Sequence, residues 1–250
     1  MNGFLRLGLA GWPVAHSLSP LIHRAFMDAA GLSGEYLLLP VKPGMIQEAL
    51  SSVRKREWRG MNLTVPHKKA VISMCTTLSR EARETGAVNT LLFDGDSVTG
   101  FNTDIQGFKE ASRDLPGPLV VLGKGGAAAS VKAGSCGREA CFLGRGDPFP
   151  EELTGAAGTV VNATPLGWNA DDVFPLDLPR GWCFMDLNYS PGWKWRNSLK
   201  EMGVRVVTGE VMLVEQAACS FALWTGYTPG SELKECLVQR IATESSDDDD

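Results

Sequence analysis

The chain is 250 residues long, 44% hydrophobic and 21% charged, a globular mix sufficient for one large domain or two modest ones. Twenty-four basic against 29 acidic residues give a net charge of −5, part of it in the terminal run Asp247 to Asp250, so no basic field exists for nucleic acid. Six cysteines without a C-x-x-C pair, three histidines and no long apolar run argue against a metal scaffold or a membrane span, and predict a soluble, cytoplasmic chain with free thiols.

Strands and helices alternate, which predicts an α/β fold built on parallel sheet. Arg6 to Ala10 reads as an apolar strand ending at Gly11. His16 to Ala30 reads as a helix, with Leu21, Ile22, Ala25, Phe26 and Ala29 at helical spacing. Tyr36 to Val41 is a strand, Gly44 to Arg56 a helix, and Gly60 to Val65 a strand that stops at Pro66, a residue suited to the first turn of the next helix. A second unit begins near Pro116-Gly117-Pro118, with strands at Leu119 to Leu122, Cys141 to Leu143, Thr159 to Asn162, Cys183 to Leu187 and Val204 to Val207. Ala127 to Ala133, Met212 to Thr225 and Ser231 to Thr243 read as helices, and the tail from Ser245 to Asp250 as disordered.

The strand Leu119 to Leu122 runs straight into Gly123-Lys124-Gly125-Gly126-Ala127-Ala128. A G-x-G-x-x-A run between a strand and a small-residue helix is the dinucleotide-binding pattern: a tight turn, a close backbone approach to pyrophosphate, and a small residue packing helix on strand. Cofactor choice is read about 20 residues further on, at the end of the next strand. There Arg145 suits a 2′-phosphate and favours NADP over NAD, with Asp147 two residues beyond it.

Four polar clusters sit at strand ends or turns, where sites in open α/β sheets gather. They are Gly11 to Pro20, Asn62 to Lys68, Gly86 to Thr90 and Asn102 to Asp104. Together they offer hydroxyls, amides, an ammonium and a carboxylate, a set that suits a ligand bearing several hydroxyls. Plainer roles exist for each: Lys68 as a solvated neighbour of Lys69, Asp104, Ser17 and Ser19 as helix caps, His16, His23 and His67 as packing or hydrogen-bonding residues, and Trp193 and Trp195 as packing or surface residues.

With these motifs in hand, the sequence resembles the shikimate dehydrogenase family over nearly its whole length. The resemblance is carried by H-S-L-S-P at His16 to Pro20, N-x-T-V-P-H-K at Asn62 to Lys68, A-V-N-T at Ala87 to Thr90 and N-T-D at Asn102 to Asp104. It continues through Val121 to Ala128, N-A-T-P-L-G at Asn162 to Gly167, D-x-x-Y-x-P at Asp186 to Pro191 and Met212 to Ala217. It implies an N-terminal α/β substrate domain of residues 1–104 and 213–250, a Rossmann-like NADP-binding domain of residues 105–212, and a cleft between them.

The implied activity is reversible NADPH-dependent reduction of 3-dehydroshikimate to shikimate, by a monomer or homodimer with no metal. In such an enzyme Ser17 and Ser19 bind the substrate carboxylate. Asn62, Thr64, Asn89 and Gln216 bind ring hydroxyls and carboxylate, with Tyr189 near the carboxylate end. Lys68 and Asp104 bracket the reacting carbon and are treated as one proton-handling unit. The cofactor is held by Gly123, Gly125, Gly126, Ala127, Ala128, Arg145, Asn162, Ala163, Thr164 and Leu187. The family's usual Asn-Arg-Thr with a second basic residue is replaced here by Gly144-Arg145-Gly146, which leaves Arg145 alone for the 2′-phosphate. A quinate/shikimate dehydrogenase using NAD and a catalytically weak ligand-binding relative are the alternatives, and the serine pair favours shikimate over quinate.

Overall fold

Residues 3–54, 57–153, 157–167, 172–173, 178–189 and 195–244 are described in the computed structural model. Arg56, Pro191, Trp193 and the acidic tail lie outside them. The chain divides into two compact units, Met1–Ile105 with Val214–Glu235 and Gln106–Leu213 with Cys236–Asp250. The resemblance implies residues 1–104 and 213–250 for the substrate domain and 105–212 for the nucleotide domain.

In the first unit the apolar run after Phe4 forms β1 (Leu5–Gly11), followed by α1 (Ser19–Ala29), β2 (Gly34–Pro40), α2 (Ile46–Arg54) and β3 (Gly60–Leu63). Helix α1 starts three residues later than its apolar spacing suggests. Proline lacks an N–H and is tolerated only in the first turn, so Pro20 sets the start at Ser19. Then come α3 (His67–Ala70), β4 (Thr77–Leu78), α4 (Arg80–Thr85), β5 (Thr90–Asp94), β6 (Ser97–Phe101) and α5 (Asp104–Ala111).

The first sheet has the order β2-β1-β3-β5-β6-β4. It is mixed rather than wholly parallel: β1 pairs parallel with β2 and β3, but β5 runs antiparallel to both β3 and β6. The cause is local. Asp94 pairs with Ser97 across a two-residue turn in which Gly95 takes φ +56°, so the chain doubles back as a hairpin.

The second unit contributes β7 (Leu119–Leu122), α6 (Gly126–Gly134), β8 (Ala140–Leu143), β9 (Thr159–Asn162), β10 (Cys183–Asp186), α7 (Trp195–Glu201) and β11 (Arg205–Val207). The chain ends in α8 (Glu210–Thr225) and α9 (Ser231–Glu244). The five strands form one parallel sheet in the order β11-β10-β9-β7-β8. Strands β7, β9 and β10 are buried along their entire length, as a parallel sheet covered on both faces requires. Leu119, Val121, Val161 and Met185 join one apolar cluster and Val120, Leu122, Val160 and Phe184 the other, the two-residue alternation of a strand with a core on each side. Among the described residues no helix is long and apolar enough to cross a membrane.

Within the first unit, His23 of α1 is fully buried, its ring stacked on Tyr36 at 4.3 Å between centroids and bordered by Phe26, Phe221 and Trp224. Neither ring nitrogen has a hydrogen-bond partner among the described residues, and burial pushes the imidazole down to about 3, a shift that nearby Asn62 opposes only in part. Folded, this ring stays neutral; unfolded, it titrates near 6.5. The unfolded chain therefore takes up a proton that the folded one refuses, and stability falls as pH drops from about 6.5 towards 3. His23→Phe keeps the stacked ring and removes the proton site. Urea unfolding between about pH 7 and about pH 5 is expected to show a smaller loss of stability for this variant than for the parent. Equal losses would assign the acid sensitivity to other groups.

Candidate active site

The short strand β3 and the hairpin β5–β6 end on the same side of the first unit's core, and their ends carry the polar motifs. Pro66 caps the one-turn helix α3, which turns Lys68 inward while Lys69 stays exposed. The Lys68 side chain is 22% exposed and its Nζ lies 2.7 Å from Asp104 Oδ2. This is not a solvated surface lysine. Asp104 opens α5, but its carboxylate does not cap that helix. The backbone N–H of Asp104 donates to Asn102 Oδ1 at 3.1 Å, which frees the carboxylate to face Lys68.

The other carboxylate oxygen is held by Asn89, whose Nδ2 donates to Asp104 Oδ1 at 2.7 Å. The orientation of this amide follows from its second edge. The Thr103 backbone N–H can only donate, so the atom 2.8 Å from it is the Asn89 oxygen. Asp104 therefore has one donor on each oxygen, one of them charged, and the two together fix its position.

Beneath the pair lies a buried hydroxyl cluster. Thr90 Oγ1 is 2.8 Å from Ser220 Oγ and 3.3 Å from Thr103 Oγ1, and Thr103 Oγ1 is 3.1 Å from Ser220 Oγ. Asn62 Nδ2 donates towards Thr90, Ser220 and the Asn89 carbonyl, while Asn62 Oδ1 accepts the Tyr36 hydroxyl at 2.8 Å. Two amide protons face three acceptors at Asn62 Nδ2, as they do at Asn89 Nδ2, which lies near Thr103 Oγ1, Asp104 Oδ1 and Gln216 Oε1.

Helix α8 supplies one wall. Gln216, Ser220 and Trp224 are spaced four apart and so share a face. Gln216 Oε1 lies 3.4 Å from Asn89 Nδ2, Ser220 joins the hydroxyl cluster, and Trp224 Nε1 donates to Leu91 O at 2.8 Å. The indole packs so closely on Gly60 that a methyl there would collide with its ring, so β3 carries glycine at that point. Tyr36, Thr90, Thr103 and Ser220 are not singled out by the sequence. Thr90 and Thr103 lie inside its polar motifs, and the four-residue spacing from Gln216 is the signal for Ser220.

Ser17 and Ser19 come together, with Ser17 Oγ 3.1 Å from Ser19 Oγ and accepting the Ser19 N–H at 3.3 Å. Neither caps α1 through its side chain, since its N-cap is Leu18. Thr64 follows β3, half-buried, its methyl against Gly11. His67 is buried with Nε2 2.7 Å from Val41 O, a structural bond, and His16 is exposed. No described contact ties the serine pair or Thr64 to Lys68.

In the second unit Gly123 follows β7 with φ +110°, a conformation open to glycine, and a Cβ there would crowd Thr164 Cγ2 and Ala163 O at 2.9 and 3.1 Å. Gly125 and Gly126, at the start of α6, would meet nothing within 4 Å. The approach to the first turn of α6 at Gly125 and Gly126 is thus clear of neighbouring atoms, as an anion cradle at a helix N-terminus requires. This turn lies where the strand order reverses between β7 and β9, the place where doubly wound sheets bind nucleotides. A pyrophosphate-bearing cofactor fits these residues.

Asn162 is fully buried; it donates to Leu166 O and Asp186 Oδ1 and accepts from Thr164, so it shapes the loop instead of presenting its amide outward. Ala163 and Thr164 are the members of that loop that face Gly123. Leu187 is half-buried beyond β10, its N–H bonded to Asn162 O, and Tyr189, also half-buried, follows two residues later. Arg145 is exposed in the turn after β8.

Comparison with known proteins points the same way. The family model of the shikimate dehydrogenase substrate binding domain matches residues 9–91, and that of the shikimate 5'-dehydrogenase C-terminal domain matches residues 209–230. The shikimate dehydrogenase (NADP(+)) of Thermus thermophilus is 37% identical over 94% of this chain and 98% of its own. That of Anaeromyxobacter is 36% identical over 88% and 90%. A Thermus thermophilus shikimate 5-dehydrogenase solved in complex with NADP(H) and shikimate superposes with a TM-score of 0.86 at 35% identity, covering 95% of this chain and all of that one. The Aquifex aeolicus enzyme gives a TM-score of 0.87 at 27% identity over 96% and 99%. On this combination of shared sequence, shared fold and near-complete coverage, the chain belongs to the shikimate dehydrogenase family.

Proposed function

We propose that this protein is an NADP-dependent shikimate dehydrogenase that reversibly reduces 3-dehydroshikimate to shikimate. The observation that carries the proposal is the Lys68–Asp104 pair, 2.7 Å apart and anchored through Asn89. Its relatives bear that enzyme name, and the Thermus thermophilus structure holds both NADP(H) and shikimate.

NADPH, when bound, supplies the hydride that reduces the substrate carbonyl. As that carbon accepts two electrons its oxygen gathers negative charge, which a fixed ammonium stabilises more strongly in the transition state than in the ground state. Lys68 provides the ammonium, and Asp104 holds it in place. The pair delivers one proton to the oxygen and regains it from water. In the reverse direction it receives the proton of the shikimate hydroxyl.

Asn89, Gln216 and Thr64 face the ring hydroxyls in this reading, Ser17 and Ser19 bind the carboxylate, and Tyr189 contributes near that end. Asn62 belongs to the same substrate-binding set, and its amide is also bonded to the hydroxyl cluster. Gly123, Gly125, Gly126, Ala127 and Ala128 cradle the pyrophosphate, with Arg145 at the 2′-phosphate and Ala163, Thr164, Leu187 and the loop organised by Asn162 lining the remainder. The six thiols are free, which supports a reducing compartment, and we assign the enzyme to the cytoplasm as a monomer or homodimer.

Steady-state oxidation of shikimate and of quinate, each with NADP and with NAD, tests the assignment. Turnover is expected to be highest with shikimate and NADP. A quinate rate equal to the shikimate rate, or no turnover with any combination, would overturn it. Lys68→Ala is expected to lower kcat at least about a hundredfold while circular dichroism shows an intact fold. Undiminished turnover in a folded variant would remove Lys68 from the chemistry.

A further inference from the structure

Strands β7 and β8 are parallel neighbours with Leu122 opposite Leu143, so Gly123 and Gly144 are the first residues past the paired ends. Lys124 stands between two glycines of the turn, and its side chain crosses to the neighbouring strand end. Its Nζ lies 3.3 Å from Asp147 Oδ2 and 3.3 Å from the point where a Cβ on Gly144 would stand. The ammonium is therefore placed over the end of β8, beside the turn that carries Arg145.

Asp147 is tied to that turn independently, because its Oδ2 accepts the Gly144 N–H at 2.7 Å. That backbone bond first, and Lys124 second, hold its carboxyl below the usual carboxylate range. The end of β8 thus carries two cations, Lys124 and Arg145, and one anion, Asp147, which its own turn holds by a backbone bond. The Lys124 and Asp147 side chains are 62% and 46% exposed, so their ion pair is a weak, exchangeable one in water. The adenosine ribose of a dinucleotide is read at this strand end.

We propose that Lys124 is a specificity-determining residue of the cofactor site, pairing with Arg145 to hold the adenosine 2′-phosphate. Asp147 is its resting counter-ion. A phosphate dianion arriving between Lys124 and Arg145 takes over the ammonium, whereas a cofactor with a 2′-hydroxyl leaves the Lys124–Asp147 pair undisturbed. The inference rests on the assignment of NADP as cofactor and adds a second cation that the sequence pattern does not reveal.

Binding rather than turnover tests it. Dissociation constants for NADPH, NADH, adenosine 2′,5′-bisphosphate and adenosine 5′-monophosphate are measured calorimetrically on the full chain, for the parent, Lys124→Ala and Asp147→Asn. Lys124→Ala is expected to weaken NADPH and the 2′,5′-bisphosphate about tenfold, the loss of one charge-assisted contact, and to leave NADH and the monophosphate within about twofold. Asp147→Asn keeps an acceptor for Gly144 and is expected to tighten the two 2′-phosphate ligands only. Equal weakening of NADPH and NADH by Lys124→Ala would place Lys124 on the shared pyrophosphate and overturn the proposal, as would no change with either. Failure of the NADP assignment shows separately, as a parent protein that binds NADH as tightly as NADPH, and that result overturns this inference as well.

Discussion

An ammonium and a carboxylate removed from most of their water are stable together only when the remaining lone pairs and protons also find partners. Lys68 and Asp104 meet that condition because Asn89 takes the second carboxylate oxygen, and Asn89 can do so because Thr103 fixes its amide from the other edge. Remove either support and the carboxylate is left facing an unsatisfied neighbour, which costs more than the bond itself returns. The charged pair, the hairpin β5–β6 and the start of α5 are thus one construction: Thr90 opens the first strand, Phe101 closes the second, and Thr103 and Asp104 come directly after it.

The second unit solves a different problem with different means. Its central strands β7, β9 and β10 are buried on both faces, so their binding groups are available only at the ends, and the chain places glycines after β7. At Gly123 the positive φ and the closeness of Ala163 and Thr164 leave no room for a side chain, whereas Gly125 and Gly126 open outward. The same absence of a side chain serves close packing in the first case and access in the second.

Much of this is legible in the sequence. The bounds of β7 and β9 coincide with Leu119 to Leu122, an apolar run, and Thr159 to Asn162, a valine pair between two buried polar ends. Lys68, Asp104 and Asn89 are legible because each sits in a compact motif. The hairpin is not, since Thr99 and Gly100 dilute the alternation of β6 and only Asp94-Gly95 marks its turn. Nor is the hydroxyl cluster: Thr90 and Ser220 are 130 residues apart, and only the packing of α8 on β5 makes them neighbours. Lys124 is hidden for a simpler reason, since in a glycine fingerprint it occupies the position that carries no pattern.

The contacts of helix α8 depend on its phase. Gln216, Ser220 and Trp224 reach the amide of Asn89, the hydroxyl cluster and the carbonyl of Leu91 from one face of one helix. Each residue added to a helix rotates all later side chains by about 100°. A single insertion or deletion between Gln216 and Trp224 would therefore swing the indole away from Gly60 while leaving the glutamine in place, or the reverse. Length in this segment is locked by geometry, and change there is confined to substitution.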